Sequence, residues 1–255
     1  MKISCIQDQG GAKVAEDRLI NSRPFFGVAD GLSPAIDSER MFSGLTGGEF
    51  ASASLANVFS AMGGMDYCLE KANRLIAQGS IRQDLNLQDP ALLPGTCFVA
   101  VELSGDKIEV VQAGDCLMVW ADTEGYCHAL SNPCYEYDLE INRMRREMTK
   151  DSFPSALAEM RRSRFNKKGG FPIMNGQPDF AGLCRRLVLN RKGTNKLILF
   201  SDGFVPLEWT EKEAVLARKV SCIYNRGGLP LILQESRRMH NGNYIPEATA
   251  IAVEF

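Results

Sequence analysis

Two stretches of the sequence share a pattern that limits the folds open to this chain. In "FFGVADGLS" (25–33) and "LILFSDGF" (197–204), an apolar run leads directly into an Asp–Gly pair, at Asp30–Gly31 and Asp202–Gly203. Apolar runs of this length predict buried strands. One Asp–Gly pair after a strand predicts only a turn. The repetition indicates instead that carboxylates from separate strands lie at one rim of a sheet.

Further acidic residues follow the same pattern. Asp115 comes after "VVQAG", and Glu16–Asp17 precede the short strand "RLI". Carboxylates crowded at one edge repel each other strongly unless cations neutralise them. Oxygen ligands select hard cations such as Mg²⁺ or Mn²⁺. We expect Gly31, which has no Cβ, to let the backbone turn sharply and approach such an ion.

The coarse pattern predicts strands and helices in alternating blocks. Strands are expected at Met1–Gln7, Arg18–Ile20 and Phe25–Asp30, with a hairpin turn at Asn21–Pro24. A helix is predicted from about Arg40, with Leu55, Val58, Phe59 and Met62 on one face, and Gly63–Gly64 ends it. Leu69, Ala72 and Ile76 mark a second helix antiparallel to the first.

The middle and end of the chain complete the predicted fold. Tight turns, including Gly114–Asp115, separate short β-rich runs after residue 95 and predict antiparallel pairing of consecutive strands. A late helix is expected to open at a capping box, Thr210 with Glu213, and to close at Gly227; another follows around Pro230–Met239, before a last strand, "ATAIAVEF". The order predicts an α+β fold, with helix pairs covering antiparallel sheets, in a single domain over 1–255.

Composition excludes several classes of protein. The chain has 255 residues and a net charge of −2, which does not suggest a nucleic-acid partner. No apolar run approaches the roughly 20 residues needed to cross a bilayer, and Gln7, Asp8 and Gln9 interrupt the start of the chain. Eight scattered cysteines without a CxxC pair predict a reduced protein. We therefore expect a cytoplasmic protein with no membrane partner.

One basic, partly helical insert is predicted at about 134–182. Between Arg143 and Lys168 it carries nine Lys/Arg against three Asp/Glu. The favoured interpretation is a pair of solvated helices with long basic side chains. The alternative is a positive lip beside a phosphorylated substrate, because arginine forks suit phosphate oxygens.

The ordered motifs resemble those of a known family. "EDR", "GVADG", "GT" (Gly95–Thr96), "AGDC", "LFSDG" and "EATAIAV" together are similar to the metal-dependent Ser/Thr protein phosphatases of type 2C, in that family's order from Glu16 to Val253. "GGFPIMNGQPDF" (169–180) resembles a segment of a bacterial branch. The resemblance implies a four-layer α/β/β/α sandwich of two antiparallel sheets flanked by helix pairs. It also implies hydrolysis of phosphoserine or phosphothreonine on proteins, with a cognate Ser/Thr kinase that phosphorylates the same substrate.

The resemblance also implies roles for individual residues. Asp30 would bridge two metal ions, the Gly31 carbonyl would face one, and Asp202 would bind the other. Glu16 and Asp17 would hold waters of the metal ions, and Asp115 would support an additional, weaker one. Two or three Mn²⁺ or Mg²⁺ ions would thus activate a water that attacks phosphorus, without a protein nucleophile. Both histidines, His128 and His240, are interpreted as structural.

Two positions depart from the family pattern. Pro246 stands where the family has an aspartate ligand, and the neighbouring Glu247 is a candidate to reach the metal instead. Ala12 stands where the family has a phosphate-gripping arginine, and the adjacent Lys13 is the candidate point charge. These losses keep a second function open: a pseudophosphatase that binds a phosphoprotein or regulates a partner without turnover. Hydrolysis of a small phosphorylated metabolite is a third.

Other phosphatase chemistry has weaker support. Cys68 and Arg74 match the Cys-x5-Arg spacing of cysteine-based phosphatases. The stretch between them has no glycine, carries Glu70 and follows a helical pattern, whereas a phosphate-cradling loop needs free backbone N–H groups. We interpret the match as chance and Cys68 as a buried core residue.

Overall fold

Two five-stranded antiparallel sheets form the centre of the protein. The computed structural model describes residues 1–61, 63–178, 180–239 and 245–255. The first sheet has the order β2 (Arg18–Ser22), β3 (Phe25–Leu32), β4 (Gly95–Ser104), β5 (Lys107–Ala113), β8 (Arg185–Asn190). The second has the order β1 (Lys2–Asp8), β10 (Ala248–Glu254), β9 (Thr194–Phe200), β6 (Leu117–Asp122), β7 (Cys127–Ala129).

Helices cover the outer face of each sheet. On the first sheet, α1 (Gly47–Phe59) and α2 (Met65–Arg82) bury an apolar cluster against β3 and β4. On the second, α6 (Glu213–Met239) packs on β6, β9 and β10, and non-helical backbone at Gly227–Gly228 divides it into two helical halves. The predicted four-layer α/β/β/α sandwich is confirmed. No helix in the described ranges has the length and apolar composition to cross a bilayer.

The insert between the sheets' strands contains the other helices. They are α3 (Tyr135–Glu147), α4 (Phe153–Arg164) and the short α5 (Phe180–Leu183). Two helices were expected in this basic segment, and α3 and α4 agree with that expectation. The apolar contact of α4 is small: Leu157 and Ala158 meet Ala35 and Ala91.

Strand alternation explains how the space between the sheets becomes polar at one end. Side chains two residues apart share a face, so Phe26 and Val28 of β3 point into the layer between the sheets. Leu197 and Leu199 of β9 do the same from the other sheet. The same period places Asp30 two residues beyond Val28, and Ser201 two residues beyond Leu199. The apolar layer therefore ends in polar side chains at one rim.

Two strand predictions are wrong: the end of β3 and the pairing of β5 with β6. β3 does not end at Asp30: it runs through Gly31 to Leu32, with Gly31 paired to Thr96. The sharp turn expected at Gly31 is absent. A glycine is needed at this position because α1 packs closely against it. β5 and β6 do not form a hairpin, because β6 belongs to the second sheet. The turn at Gly114–Asp115 instead carries the chain from one sheet to the other.

Two helix starts were also misplaced. α1 begins at Gly47, not near Arg40, and its true capping box is Thr46 with Glu49. α6 begins at Glu213, and Thr210 does not cap it: the Thr210 hydroxyl donates to the Leu207 carbonyl at 2.8 Å. The pattern at Thr210 was a coincidence of spacing. Met62, predicted on the face of the first helix, lies outside the described residues.

Candidate active site

Four carboxylates from separate parts of the chain meet at the polar rim; we call Asp17, Asp30, Asp115 and Asp202 the acidic rim. Asp17 immediately precedes β2, and Asp30 lies near the end of β3. Asp115 lies in the crossing between β5 and β6, and Asp202 begins a 3₁₀ turn just after β9. Negative charges of other rim residues raise the pKa values of Asp17, Asp30 and Asp115, so these groups interact with one another.

Asp30 is the centre of this rim. Burial raises the pKa of Asp30 well above its ordinary value, and the negative charges of the other three rim residues raise it further. A side-chain hydrogen bond with Asp202 acts in the same direction. The sequence-based expectation that Asp30 and Asp202 lie close together is thus met.

Asp17 is held from several sides. Its side chain is 2% exposed, and Oδ2 accepts a hydrogen bond from the Ser201 hydroxyl at 2.7 Å. Ser201 is fixed in turn by the Thr249 backbone N–H, which donates to its Oγ at 2.9 Å. Burial raises the pKa of Asp17 to about 7, with the charges of Glu247 and Asp202 adding to the effect. β9 and β10 thereby position a carboxyl that belongs to the other sheet.

Asp115 has a free buried oxygen. Gly114, with φ +71°, packs against the Cys97 side chain, where a Cβ would collide with Sγ. This close packing turns the chain inward, and Oδ1 of Asp115 is buried without a hydrogen-bond partner. Burial and the charge of Asp202 raise the pKa of Asp115 to about 7. An orphaned buried carboxylate oxygen is costly unless an external group binds it.

Glu16 contacts the start of α1. Its Oε1 accepts from the Ser33 hydroxyl at 2.8 Å and from the Thr46 hydroxyl at 2.5 Å. A Cβ on Gly31 would lie 2.5 Å from the Gly48 carbonyl oxygen and 2.9 Å from the Glu16 Cβ. Gly31 is therefore required for the close approach of α1 to β3, whatever its carbonyl binds.

The two residues proposed to replace missing family groups have different surroundings. Glu247 is half-buried, and its carboxylate accepts from the backbone N–H groups of Glu16 and Asp17. Lys13 lies exposed in the loop before β2. Its role in phosphate binding stays a prediction, as do the individual roles of the other candidate residues.

Sequence reasoning missed two ionisable side chains near the rim. Asp138, in the first turn of α3, has its pKa raised to about 9 by burial and by the charges of Asp115 and Asp202. In the sequence it resembles any acid that favours a helix N-terminus. Arg161 of α4 is 6% exposed, and its Nη1 donates to the Ser33 carbonyl at 2.7 Å. Only the folding of the insert against the rim brings these residues here.

The donor set at the rim suits a hard divalent cation. It consists of carboxylate oxygens, one of them the unpartnered Oδ1 of Asp115. Within the described ranges, no three His, Cys, Asp or Glu side chains are arranged to hold an ion. Asp17 is turned to Ser201, and Asp30 to Asp202. The oxygen donors present therefore fit a divalent cation in their chemistry.

Residues considered for other chemistry lie away from the rim. His128, on β7, stacks on Trp120 and pairs with Asp122 at 3.3 Å. His240 lies outside the described residues. Cys68 is buried in α2, and Arg74 of the same helix pairs with Glu70. A helix cannot form the loop that a cysteine-based phosphatase needs, which agrees with the interpretation of this match as chance.

Comparison with known proteins identifies similar folds. No protein-family sequence model matches the chain, and no curated protein matches it by sequence. Among solved structures, serine/threonine phosphatase Stp1 from Staphylococcus aureus is similar with a TM-score of 0.61 and 12% identity, covering 100% of this chain and 94% of that one. The Mycobacterium tuberculosis serine/threonine phosphatase PstP/Ppp gives 0.57 and 18%, covering 100% and 98%. A PstP catalytic domain in complex with two manganese ions gives 0.57 and 16%, covering 99% and 97%. At these identities the likeness shows the fold.

Proposed function

We propose, from the premise that this chain has the fold of the bacterial metal-dependent Ser/Thr phosphatases, that it hydrolyses phosphoserine and phosphothreonine on proteins. The observation that carries the proposal is the meeting of Asp17, Asp30, Asp115 and Asp202 at one rim of that fold. Carboxylates gathered in this way raise each other's pKa and favour a divalent cation as their common partner. We propose Mn²⁺ or Mg²⁺, in two or three copies.

Each rim residue has a proposed task. Asp30, the Gly31 carbonyl and Asp202 would hold two cations, and Asp115 would support an additional one. When bound, the cations would lower the pKa of a water and neutralise the phosphoryl oxygens. Glu16 and Asp17 would orient waters, because hydroxyl donors fix both carboxyls. Lys13 would attract the phosphate as a point charge.

The absence of a histidine from this set is compatible with the proposed chemistry. A water molecule serves as the nucleophile, so that no side chain has to form a covalent intermediate. The raised pKa values of Asp17 and Asp115, both about 7, mean that part of each group is protonated at neutral pH in the metal-free protein. Cation binding has to displace these protons, which makes metal affinity rise with pH.

A pseudophosphatase is the second candidate function. Its support is the pair of departures at Ala12 and Pro246. In this alternative the chain binds a phosphoprotein or regulates a partner, and the rim does not turn over substrate. The unpartnered buried oxygen of Asp115 favours the enzyme, because a binding module does not need that unfavourable group.

Hydrolysis assays separate the candidates. Purified protein is incubated with p-nitrophenyl phosphate or a phosphothreonine peptide in Mn²⁺, Mg²⁺ or EDTA. We expect Mn²⁺-stimulated, EDTA-sensitive turnover that Asp30→Ala and Asp202→Asn each reduce by about a thousandfold. Asp106→Asn is the matched control, since Asp106 is exposed and pairs with Lys192 at 2.7 Å, outside the rim. If no turnover is seen with either metal, the pseudophosphatase is favoured. Turnover that persists in EDTA contradicts the metal-dependent mechanism.

Substrate choice is tested in the same assay. We propose a phosphoprotein substrate, and a cognate Ser/Thr kinase that makes it, on the fold likeness to protein phosphatases. The expected result is a higher kcat/KM for the phosphopeptide than for small phosphorylated metabolites. The reverse order assigns the chain to metabolite hydrolysis. The cytoplasmic location stays a prediction.

A further inference from the structure

Glu247 makes an unusual pair of contacts beside the acidic rim. Its Oε2 accepts from the backbone N–H of Glu16 at 2.8 Å, and its Oε1 accepts from that of Asp17 at 3.0 Å. These residues are 231 and 230 positions apart from it in the chain. Hydrogen bonds to a carboxylate are stronger than those between neutral groups. One side chain just before β10 therefore holds two successive peptide units just before β2.

Tight packing fixes the backbone that carries Glu247. The Gly11 N–H donates to the Ile245 carbonyl at 2.8 Å. A Cβ on Gly10 would collide with the Pro246 carbonyl, and one on Gly203 would collide with the Glu247 carbonyl. Glycines on both sides thus permit the Pro246–Glu247 backbone to pass between the first loop and the turn that begins at Asp202. Side chains at either glycine position would push this segment away from the rim.

The consequence concerns the direction of Asp17. Its backbone is held by Glu247 and its carboxyl by Ser201, at 3.0 and 2.7 Å. A peptide fixed at both ends presents its side chain in one direction, which is the preorganisation that a precise site needs. Loss of Glu247 removes both carboxylate contacts to the Glu16 and Asp17 N–H groups. The Ser52 hydroxyl, which donates to the Glu16 carbonyl, and the Ser201 hydroxyl then remain as the contacts that hold this peptide and its side chain.

We propose that Glu247 is a positioning residue that clips the Glu16–Asp17 peptide against the rim, so that it stabilises metal binding through Asp17. This assignment differs from that of a metal ligand replacing the side chain that Pro246 lacks. The metal-binding consequence rests on the proposed function. The clip itself does not, because it exists in the metal-free protein.

Amide hydrogen exchange tests the clip directly. In metal-free ¹⁵N-labelled protein, we expect exchange at the Glu16 and Asp17 amides to be at least about tenfold faster in Glu247→Ala than in wild type. Glu247→Gln keeps a single acceptor oxygen and should leave only one of the two amides protected. Glu254→Ala is the matched control, because Glu254 lies at the far end of β10, the strand that follows Glu247, and accepts from the Tyr224 hydroxyl at 2.8 Å. Unchanged exchange at both amides in Glu247→Ala overturns the proposal.

Manganese affinity, measured by calorimetry, tests the coupling. We expect Glu247→Ala to weaken Mn²⁺ binding about tenfold in the wild-type background and less than about twofold in an Asp17→Asn background. Equal weakening in both backgrounds marks Glu247 as an independent ligand and overturns the positioning role. Wild-type protein that binds no Mn²⁺ contradicts the proposed function, whereas the exchange experiment still decides whether the clip exists. Melting curves confirm that each variant is folded before either measurement.

Discussion

The acidic rim and the basic insert, residues 134–182, are both rich in charge, but they differ in how that charge is balanced. In the insert, Arg162 binds Asp89 through two hydrogen bonds of 2.9 Å, and the pKa of Asp89 is lowered as a result. Arg143 pairs with Glu140, whose pKa is also lowered. At the rim, burial and like charges raise the pKa of Asp17 and of Asp30. The surface pairs of the insert balance their own charges, whereas like charges lie together at the rim, where Asp138 of the insert joins them.

This difference indicates where an external ion is expected. Ion pairs within the insert are partly exposed and contribute little to stability individually. They favour the interpretation of the insert as solvated helices over that of a free positive lip, at least for Arg143 and Arg162. At the rim, the carboxylates instead disfavour one another's ionisation, and a bound divalent cation would relieve this repulsion. Strained or uncompensated groups of this kind concentrate at functional sites.

The largest effect is expected from neutralising the centre of the rim. Asp30→Asn replaces a buried acid, whose ionisation is disfavoured by burial and by three neighbouring carboxylates, with a neutral amide, so the metal-free protein should become more stable by about 1 kcal/mol. The same change should weaken Mn²⁺ binding at least about a hundredfold, because Asp30 is the proposed bridging ligand. Urea unfolding and calorimetry measure the two effects. If Asp30→Asn is less stable than wild type without metal and keeps its Mn²⁺ affinity, the rim carboxylates do not repel one another and Asp30 is not a metal ligand.

A pH effect of intermediate size should follow from the raised pKa values. Asp17 and Asp115 have folded pKa values of about 7, against the ordinary pKa of 3.8 for an aspartate. Between pH 4 and 7 the folded state therefore holds more protons than the unfolded chain, and stability falls as pH rises. We expect each of the two groups to contribute about 2–3 kcal/mol to the stability that the metal-free protein loses from pH 5 to pH 8.

Saturating Mn²⁺ serves as the control for this pH series. A bound cation favours the charged carboxylates, so the slope of stability against pH should flatten or reverse sign. Urea midpoints at pH 5, 6, 7 and 8, with and without Mn²⁺, give both curves. If the free energy of unfolding of the metal-free protein rises steadily from pH 5 to pH 8, the pKa values of the rim carboxylates are not raised by burial and mutual repulsion.

The smallest effect is expected in the insert. Arg162→Ala removes the pair with Asp89, in which the two side chains are 39% and 22% exposed. The free energy of unfolding should fall only slightly, and by less in 1 M NaCl, because salt screens exposed pairs. Arg143→Ala, at a more exposed pair, is the comparison and should cost less. If Arg162→Ala lowers the free energy of unfolding by more than Asp30→Asn raises it, the contrast between the insert and the rim is contradicted.

The sequence predicted most of the strands and the meeting of the acidic residues, for a common reason. Apolar alternation sets which face of a strand is buried, so Phe26, Val28 and Asp30 fall on one side without knowledge of the rest of the fold. The ordered motifs then added the arrangement of the layers. Predictions that rested on a short turn or capping motif were more often wrong. Gly114–Asp115 looked like a hairpin turn and is a crossing between sheets, because turn residues do not specify which strand pairs with which.

What the sequence alone determined is the presence of apolar strands that end in carboxylates, since side-chain period and composition are local properties. Only the tertiary structure decided which oxygens face one another. The approach of Glu247 to the Glu16 and Asp17 amides, the arrival of Asp138 from α3 and the burial of Arg161 join residues that are far apart in the chain. Such contacts depend on how the layers and the insert pack, because electrostatic and hydrogen-bond energies depend on distance and burial, which no local pattern contains.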